Sequence, residues 1–202
     1  MIQSARKDSA KVLGYVDTGY FGFPPNNRRT RSGETSAAAW TSQAEGDVDA
    51  WYSYYGGYGL DGIFFDDALA DCGSDNADVS LYITLRDYVK QHTDATVVDN
   101  PGGTVEQCYT SAADTLVTFE GTYASYVNWS PPAWESSASP SRLWHLVYDT
   151  PDENNMKNAI ALSKARNAGY VYVTPDNVPN PWDTLPTGSY WTSDLSQAGT
   201  GS

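Results

Sequence analysis

Six short apolar runs recur along the chain and are rich in β-branched and aromatic residues. Several are almost continuously apolar, which is typical of parallel strands covered on both faces rather than of strands with one solvated face. We predict strands at Val12–Asp17, Leu60–Asp66, Ala95–Asn100, Leu116–Glu120, Leu143–Asp149 and Tyr170–Thr174.

Segments with helical spacing lie between these runs. Asp78–Gln91 repeats apolar residues along one face, and Glu153–Ala168 does the same before Gly169, a residue type that ends helices. Ala5–Lys11 resembles the last turn of a helix that leads into the first strand. Alternation of strands and helices predicts an α/β fold with a parallel sheet and right-handed crossovers.

The chain has 202 residues, a length that favours one domain. We predict this domain over residues 1–192 and a frayed tail over residues 193–202, which ends in Gly-Thr-Gly-Ser. No apolar run reaches the roughly 18 residues of a membrane span, and the first residues contain no secretion signal.

The composition is acidic and rich in aromatic residues. The formal net charge of −13 argues against nucleic acid or an anionic membrane as the partner, because both require a cationic surface. An acidic cleft favours a cationic polysaccharide, although solubility of a secreted protein explains the same charge equally well. The 7 Trp and 15 Tyr residues are candidates to pack in the core or to stack on sugar rings.

Acidic or polar residues follow one predicted strand after another. A single acid in such a place is commonly a helix N-cap, but caps explain the whole series poorly. The carboxyl ends of parallel strands are where functional groups gather in α/β folds. The residues at these ends are Asp17, Asp66, Asp67, Asp99, Asn100, Glu120, Tyr148, Asp149 and Asp176.

Carboxylates without a nucleophile elbow or a phosphate-binding loop favour glycoside hydrolysis, which needs one protonated and one ionised acid. Asp66 and Glu120 follow strands that are two apart, so in a barrel they are expected to face each other across its mouth. Carboxyl separations of about 5–5.5 Å for retention and about 6.5–9.5 Å for inversion both remain open. We predict no metal and no cofactor.

The two cysteines, Cys72 and Cys108, are either one disulfide or two unrelated buried thiols. They follow the second and third predicted strands, so both lie at the same end of the sheet. This placement favours a disulfide that joins two loops, and hence an oxidising compartment.

Six motifs occur in a characteristic order, and together they resemble the spherulin-4-like (spherulation-specific) family, placed in glycoside hydrolase family 135. The resemblance extends from about Val12 to Trp191. The motifs are Gly14–Tyr20, Asp61–Asp67, Asn100–Gly102, Phe119–Gly121, Trp144–His145 and Gly169–Thr174.

The resemblance implies a (β/α)8 barrel of TIM type, a secreted or cell-surface location and an endo-acting α-1,4-N-acetylgalactosaminidase. Its substrate would be an exopolysaccharide of the galactosaminogalactan type. The carried-over catalytic residues are Asp66 as nucleophile or charge stabiliser, Glu120 as general acid/base and Asp67 in a supporting role. The candidate substrate-binding residues are Asp17, Tyr20, Asn100, His145, Tyr148, Asp176 and Trp182.

The chain departs from the family pattern at two points. Family members usually carry Asp-Glu where this chain has Asp66-Asp67, and they normally have one or two further βα units before the Gly-Tyr-Val motif. We therefore expect a barrel that lacks its first one or two units; the sequence does not determine its oligomeric state. The alternative function is a non-catalytic polysaccharide-binding or cell-wall protein on the same barrel. A nucleotide-binding protein is disfavoured, because no glycine-rich loop follows the first strand.

Overall fold

The computed structural model describes residues 2–7 and 10–199. Strands and helices alternate along these residues. The strands are β1 (Leu13–Asp17), β2 (Gly62–Asp66), β3 (Thr96–Asp99), β4 (Thr115–Thr122), β5 (Leu143–Tyr148) and β6 (Tyr170–Val173). The α-helices are α1 (Ile2–Lys7), α2 (Ala37–Tyr55), α3 (Ala77–Val89), α4 (Tyr123–Asn128), α5 (Glu153–Ala165) and α6 (Gly188–Gly199).

All six predicted strands are confirmed, with ends that move by at most two residues. They form one parallel sheet in which neighbours follow chain order, from β1 to β6. A crossover connection joins each strand to the next, so the carboxyl ends of all six strands lie at the same end of the sheet. The predicted α/β class is therefore confirmed.

The chain divides into two compact units, with the division inside β4. The first unit comprises Met1–Pro101 and Val105–Leu116, and the second comprises Gly102–Thr104 and Val117–Ser202. The single domain predicted for residues 1–192 stays a prediction.

In the first unit, α2 and α3 pack on one face of β1, β2 and β3. Ile63, Phe65 and Val97 are fully buried on that face, together with Tyr82 and Leu85 of α3. The backbone of β3 lies very close to Gly62, where an added Cβ would lie 1.9 Å from the carbonyl oxygen of Thr96. The β2–β3 pairing therefore requires glycine at this position.

In the second unit, α4 and α5 cover β4, β5 and β6. The core contains Phe119 from β4, Val147 from β5 and Val173 from β6, packed against Met156 and Ile160 of α5. These apolar positions of α5 recur every three or four residues, which is the spacing that predicted this helix.

Helix α2 is the longest element that the sequence analysis did not identify. It begins after Ser36, whose side chain accepts a hydrogen bond from the backbone N–H of Ala39. The helix buries only Trp40, Ala44 and Val48, so its apolar stripe is narrow and is diluted by surface polar residues. No helix among the described residues has the length and apolar character that crossing a bilayer requires.

Both ends of the chain differ from expectation. Helix α1 spans Ile2–Lys7, earlier than the turn expected at Ala5–Lys11, of which residues 8 and 9 lie outside the described residues. Residues 193–199 of the expected frayed tail belong to α6 instead. This helix packs against α5 and buries Asp194, and residues 200–202 lie outside the described residues.

Cys72 and Cys108 form a disulfide, as the sequence placement favours. It joins the loop after β2 to the loop after β3. The backbone N–H of Cys72 also donates to the Glu106 carboxylate at 2.6 Å. The two loops are therefore joined by a covalent bond and by a hydrogen bond.

Replacement of both cysteines by serine is expected to lower the free energy of unfolding by about 2–4 kcal/mol. The disulfide joins residues 36 positions apart, and the unfolded chain without it gains the entropy of that open loop. The midpoint of urea unfolding of the wild type in dithiothreitol should equal that of the double variant. The midpoint of the double variant should not change when the reductant is added. Equal unfolding midpoints for the oxidised wild type and the double variant would contradict this account.

Asp194 gives a second prediction, because burial raises the pKa of its carboxyl from 3.8 to about 6. The unfolded chain releases this proton more easily, so folding stability falls as pH rises from about 4 to about 6. Asp194→Asn should remove this loss and be more stable than the wild type at pH 7 by about 1–3 kcal/mol. At pH 3.5 the gain should disappear.

Denaturant unfolding at a series of pH values measures this difference, with the exposed Asp183→Asn as the matched control. A gain for Asp194→Asn that is the same at pH 3.5 and pH 7 would show that the carboxyl does not titrate in this way.

Candidate active site

Three carboxylates lie at the carboxyl ends of β1 and β2. The parallel register pairs Asp17 with Asp66, and Asp67 follows directly. Phe65 turns to the buried face, and because side chains alternate along a strand, Asp66 turns to the other face. In the sequence Phe-Phe-Asp-Asp, the aromatic residues thus hold the strand in the sheet, and the two acids lie at its carboxyl end.

Asp66 is held by two neutral donors. The Tyr15 hydroxyl donates to Oδ2 at 2.7 Å, and the side-chain amide of Asn100 donates to Oδ1 at 2.8 Å. These hydrogen bonds come from β1 and from the end of β3, so neighbouring strands on both sides orient the carboxylate. Neutral donors fix its direction without cancelling its negative charge.

Asp67 has a different partner. The guanidinium of Arg28 lies 2.7 Å from the Asp67 carboxylate and 3.7 Å from that of Asp17. The other oxygen of Asp17 accepts the backbone N–H of Gly19 at 2.7 Å. One cation from the loop after β1 therefore connects acids that come from two strands.

The turn after β1 holds the backbone of the two adjacent acids. The backbone N–H of Thr18 donates to the carbonyl oxygen of Asp66 at 2.9 Å, and that of Tyr20 donates to the carbonyl oxygen of Asp67 at 2.8 Å. The Thr18 hydroxyl lies 2.9 Å from both carbonyl oxygens. Asp67 and Tyr20 both have φ of 51°, a left-handed conformation that these contacts sustain.

Burial and charge keep the tyrosine hydroxyls of this cluster protonated. Burial, followed by the hydrogen bond to Asp66, raises the pKa of Tyr15. Burial and the Asp67 carboxylate raise the pKa of Tyr20 to about 12. Burial also raises the pKa of Asp17 from its ordinary value. Both tyrosines therefore remain neutral hydrogen-bond donors near pH 7.

Glu120 lies in the second unit, on β4. The indole N–H of Trp182 donates to its Oε1 at 3.2 Å. The Trp182 ring makes edge contacts with Tyr148 and a tilted contact with Tyr172, with ring centroids 5.8 and 6.0 Å apart. This group joins β4 to β5 and β6 and places the Trp182 indole, packed between two tyrosines, against the glutamate.

Asp176 organises the loop after β6. Its Oδ2 accepts the hydroxyl of Thr184 at 2.6 Å, and its carbonyl oxygen accepts the backbone N–H of Asp149 at 2.8 Å. The same loop carries Trp182, so these bonds help to place the indole against Glu120.

His145 is completely buried, so it does not face solvent as a substrate-binding residue would. Its Nδ1 lies 2.7 Å from the Tyr126 hydroxyl, and its Nε2 lies 3.9 Å from the Glu135 carboxylate, too far for a hydrogen bond. Burial lowers the pKa of His145. We interpret this histidine as part of the packing of the second unit.

The structure brings together five of the sequence-derived site residues in the first unit, namely Asp17, Tyr20, Asp66, Asp67 and Asn100. It groups Glu120, Tyr148 and Trp182 in the second unit. Two further residues of this site, Tyr15 and Arg28, are not among those that the sequence predicts. Tyr15 shares the β1 alternation with Asp17, which is a usable signal, whereas Arg28 comes from a loop with no periodic pattern.

Among the described residues, one cluster has metal-ligand spacing: Cys72, Glu106 and Cys108. Both cysteines are consumed by the disulfide, and a disulfide sulfur lacks the thiolate charge that binds zinc. This cluster is therefore not a metal centre.

Comparison with solved structures shows the same fold in two carbohydrate-related proteins. The crystal structure of Aspergillus clavatus Sph3 in complex with GalNAc is similar with a TM-score of 0.70 and 20% identity, covering 98% of this chain and 76% of that one. A chitinase from Chromobacterium violaceum gives a TM-score of 0.57 and 11% identity, covering 99% of this chain and 84% of that one.

No curated protein matches the sequence. The model of the Spherulation-specific family 4 (Spherulin4), however, matches residues 1–198. The match covers nearly the whole chain and agrees with the ordered motifs and with the TIM-barrel type of fold shared with Sph3. The chain therefore belongs to the Spherulation-specific family 4.

Proposed function

We propose that the protein is a secreted glycoside hydrolase that cleaves internal α-1,4 bonds of an N-acetylgalactosamine- or galactosamine-containing exopolysaccharide. The observation that carries this proposal is the Asp66 carboxylate, held by Tyr15 and Asn100 at the carboxyl end of β2. The similarity to Sph3 in complex with GalNAc and to a chitinase supports a carbohydrate substrate. The disulfide supports an oxidising, extracellular compartment.

Asp66 has the role of the ionised acid in this proposal. Cleavage of a glycosidic bond develops positive charge at the anomeric carbon. A carboxylate that is oriented by neutral donors keeps its full charge for this carbon, whether it bonds to it or stabilises it electrostatically. Tyr15 and Asn100 supply such donors.

Glu120 has the role of general acid/base. It delivers a proton to the oxygen of the departing sugar, and its carboxylate then takes a proton from the attacking water. The assignment rests on the family motif and on the place of Glu120 on β4. The indole N–H of Trp182, which donates to Oε1, supports it by orienting the carboxyl group.

Aromatic residues near Glu120 support a saccharide ligand. Trp182, Tyr148 and Tyr172 present large rings beside polar atoms, and the C–H faces of pyranose rings pack on such surfaces while their hydroxyls find polar partners. In the first unit, Asp17 and Tyr20 supply hydrogen-bonding groups beside Asp66. The proposed substrate-binding set is therefore Asp17, Tyr20, Asn100, Tyr148 and Trp182.

A non-catalytic polysaccharide-binding protein is the second candidate, and one observation favours it. Asp67 stands where family members usually carry Glu, and its carboxylate is paired with Arg28. If catalysis needs that second acid to reach the substrate, the shorter and paired side chain fails to do so. Such a protein binds the polymer without cleaving it.

Asp66→Asn and Glu120→Gln are each expected to reduce release of reducing ends from an α-1,4-linked galactosamine polymer by at least about 100-fold. Each variant removes one acid while preserving side-chain size. The exposed Asp94→Asn and Glu34→Gln make the same chemical changes elsewhere and should retain wild-type rates.

Binding measured by affinity electrophoresis separates the two candidate functions. The hydrolase predicts that the wild type cleaves the polymer and that both acid variants still bind it. Binding by the wild type without any cleavage would establish the second candidate instead. Wild-type rates in Glu120→Gln would disprove its role as general acid/base.

Tyr15→Phe should lower kcat/KM by about 10- to 100-fold, because a hydrogen bond to a charged group contributes about 1.5–3 kcal/mol. The variant keeps the ring, which stacks near Phe64, and removes only the hydroxyl that orients Asp66. The exposed Tyr58→Phe is the matched control and should behave as the wild type. An unchanged rate in Tyr15→Phe would show that this hydrogen bond does not serve the reaction.

A further inference from the structure

We propose that Arg28 is a positioning residue for the carboxylates at the ends of β1 and β2. It holds Asp67 and Asp17 in a fixed ionic arrangement, so that Asp66 is the carboxylate that meets the anomeric carbon. This inference rests on the proposed function. It gives different roles to Asp66 and Asp67, two adjacent acids that the sequence places in the same site.

The geometry around Arg28 separates the roles of the two acids. One guanidinium nitrogen lies 2.7 Å from Asp67 Oδ2, and the other lies 3.7 Å from Asp17 Oδ2. The guanidinium carbon also lies 5.7 Å from the centre of the Tyr20 ring. Asp17, Asp67 and Tyr20 thus all lie against the Arg28 guanidinium. Asp66 instead receives hydrogen bonds from Tyr15 and Asn100.

The type of partner determines what each carboxylate can do. An ion pair with arginine offsets the charge of a carboxylate and fixes its direction, which makes it a poor nucleophile. Hydrogen bonds from a phenol and an amide leave the net charge in place. Asp67 also accepts a hydrogen bond from the Tyr20 hydroxyl, so the ion pair with Arg28 is what distinguishes the two acids. This ion pair directs the reaction to Asp66 and leaves Asp67 in a supporting role.

The loop that carries Arg28 is itself anchored on both sides. The backbone N–H of Asn27 donates to the carbonyl oxygen of Phe23 at 3.1 Å, and that of Thr30 donates to the carbonyl oxygen of Glu34 at 2.9 Å. Thr30 is buried. An isolated exposed ion pair contributes little, but the backbone of this loop is already held by hydrogen bonds, so less backbone entropy is lost when the contacts of Arg28 form.

Asp17 is a suitable reporter of this arrangement. Its pKa is raised chiefly by burial and further by Asp67 and Asp66, and it is lowered by the Gly19 N–H and by Arg28. Arg31 also interacts electrostatically with Asp17, and Tyr15 and Tyr20 add neutral hydroxyls. Loss of the Arg28 charge removes one of the lowering influences, so the pKa of Asp17 must rise.

The experiment compares Arg28→Gln, Arg28→Lys and Arg29→Gln in the full chain. Arg29 is the adjacent control, since it is exposed and donates to the carbonyl oxygen of Gly33. Carbon-detected NMR follows the Asp17 carboxyl as pH is changed, without any saccharide. Steady-state kinetics on the galactosamine polymer then gives kcat and KM as functions of pH.

Arg28→Gln should raise the pKa of Asp17, and Arg29→Gln should leave it unchanged. In the same variant kcat should fall at least about tenfold while KM changes less than threefold, and the acidic limb of the kcat profile should move to higher pH. Arg28→Lys keeps the charge and should restore part of kcat, but not all, because it lacks the planar fork.

An Asp17 titration that is the same in Arg28→Gln and the wild type would overturn the proposal, as would a shifted titration with unchanged kcat. Should Arg28→Gln fail to fold, Arg28→Lys is compared with Arg29→Lys: kcat should fall only in Arg28→Lys, because lysine keeps the charge but lacks the planar fork, and equal kcat values would overturn the proposal. If the wild type hydrolyses no polymer, the proposed function fails by itself, and the titration still decides whether Arg28 holds the acidic cluster.

Discussion

Parallel pairing of β1 with β2 is the constraint on which the candidate site depends. The register places Asp17 beside Asp66, and the turn after β1 holds the carbonyl oxygens of Asp66 and Asp67 through hydrogen bonds from the backbone N–H groups of Thr18 and Tyr20. Three like charges at adjacent strand ends repel one another. They are held because Arg28 neutralises part of the charge and because Tyr15 and Asn100 orient the remainder.

This arrangement gives different partners to two acids that are neighbours in the sequence. Asp66 lies between two neutral donors, and Asp67 faces a cation in a left-handed backbone conformation. Strain of this kind persists only where surrounding contacts sustain it. The hydrogen bonds from the Thr18 hydroxyl to the carbonyl oxygens of Asp66 and Asp67 are such contacts. The conformation of the site therefore depends on the backbone at the strand ends as well as on the acids.

The sequence allowed prediction of every strand and of the acids at their ends, because buried parallel strands leave nearly continuous apolar runs that need no knowledge of tertiary contacts. The placement of Cys72 and Cys108 after neighbouring strands favours the disulfide, although the sequence alone leaves two unrelated thiols as the alternative. Helix α2 was not predicted, because its buried stripe is narrow. The role of Arg28 was equally hidden, since a loop residue acquires its partners only when the chain folds. His145 belongs to a recognisable sequence motif, yet its side chain is buried beside Tyr126. Only the folded structure shows this burial.

We propose Asp66 as the carboxylate that meets the anomeric carbon, and a crystal structure of Asp66→Asn with a bound galactosamine oligosaccharide would show this contact. We expect a sugar ring whose anomeric carbon lies within about 3.5 Å of the side chain at position 66. An oligosaccharide bound with its anomeric carbons away from this position, or against the side chain of Asp67 instead, would contradict it.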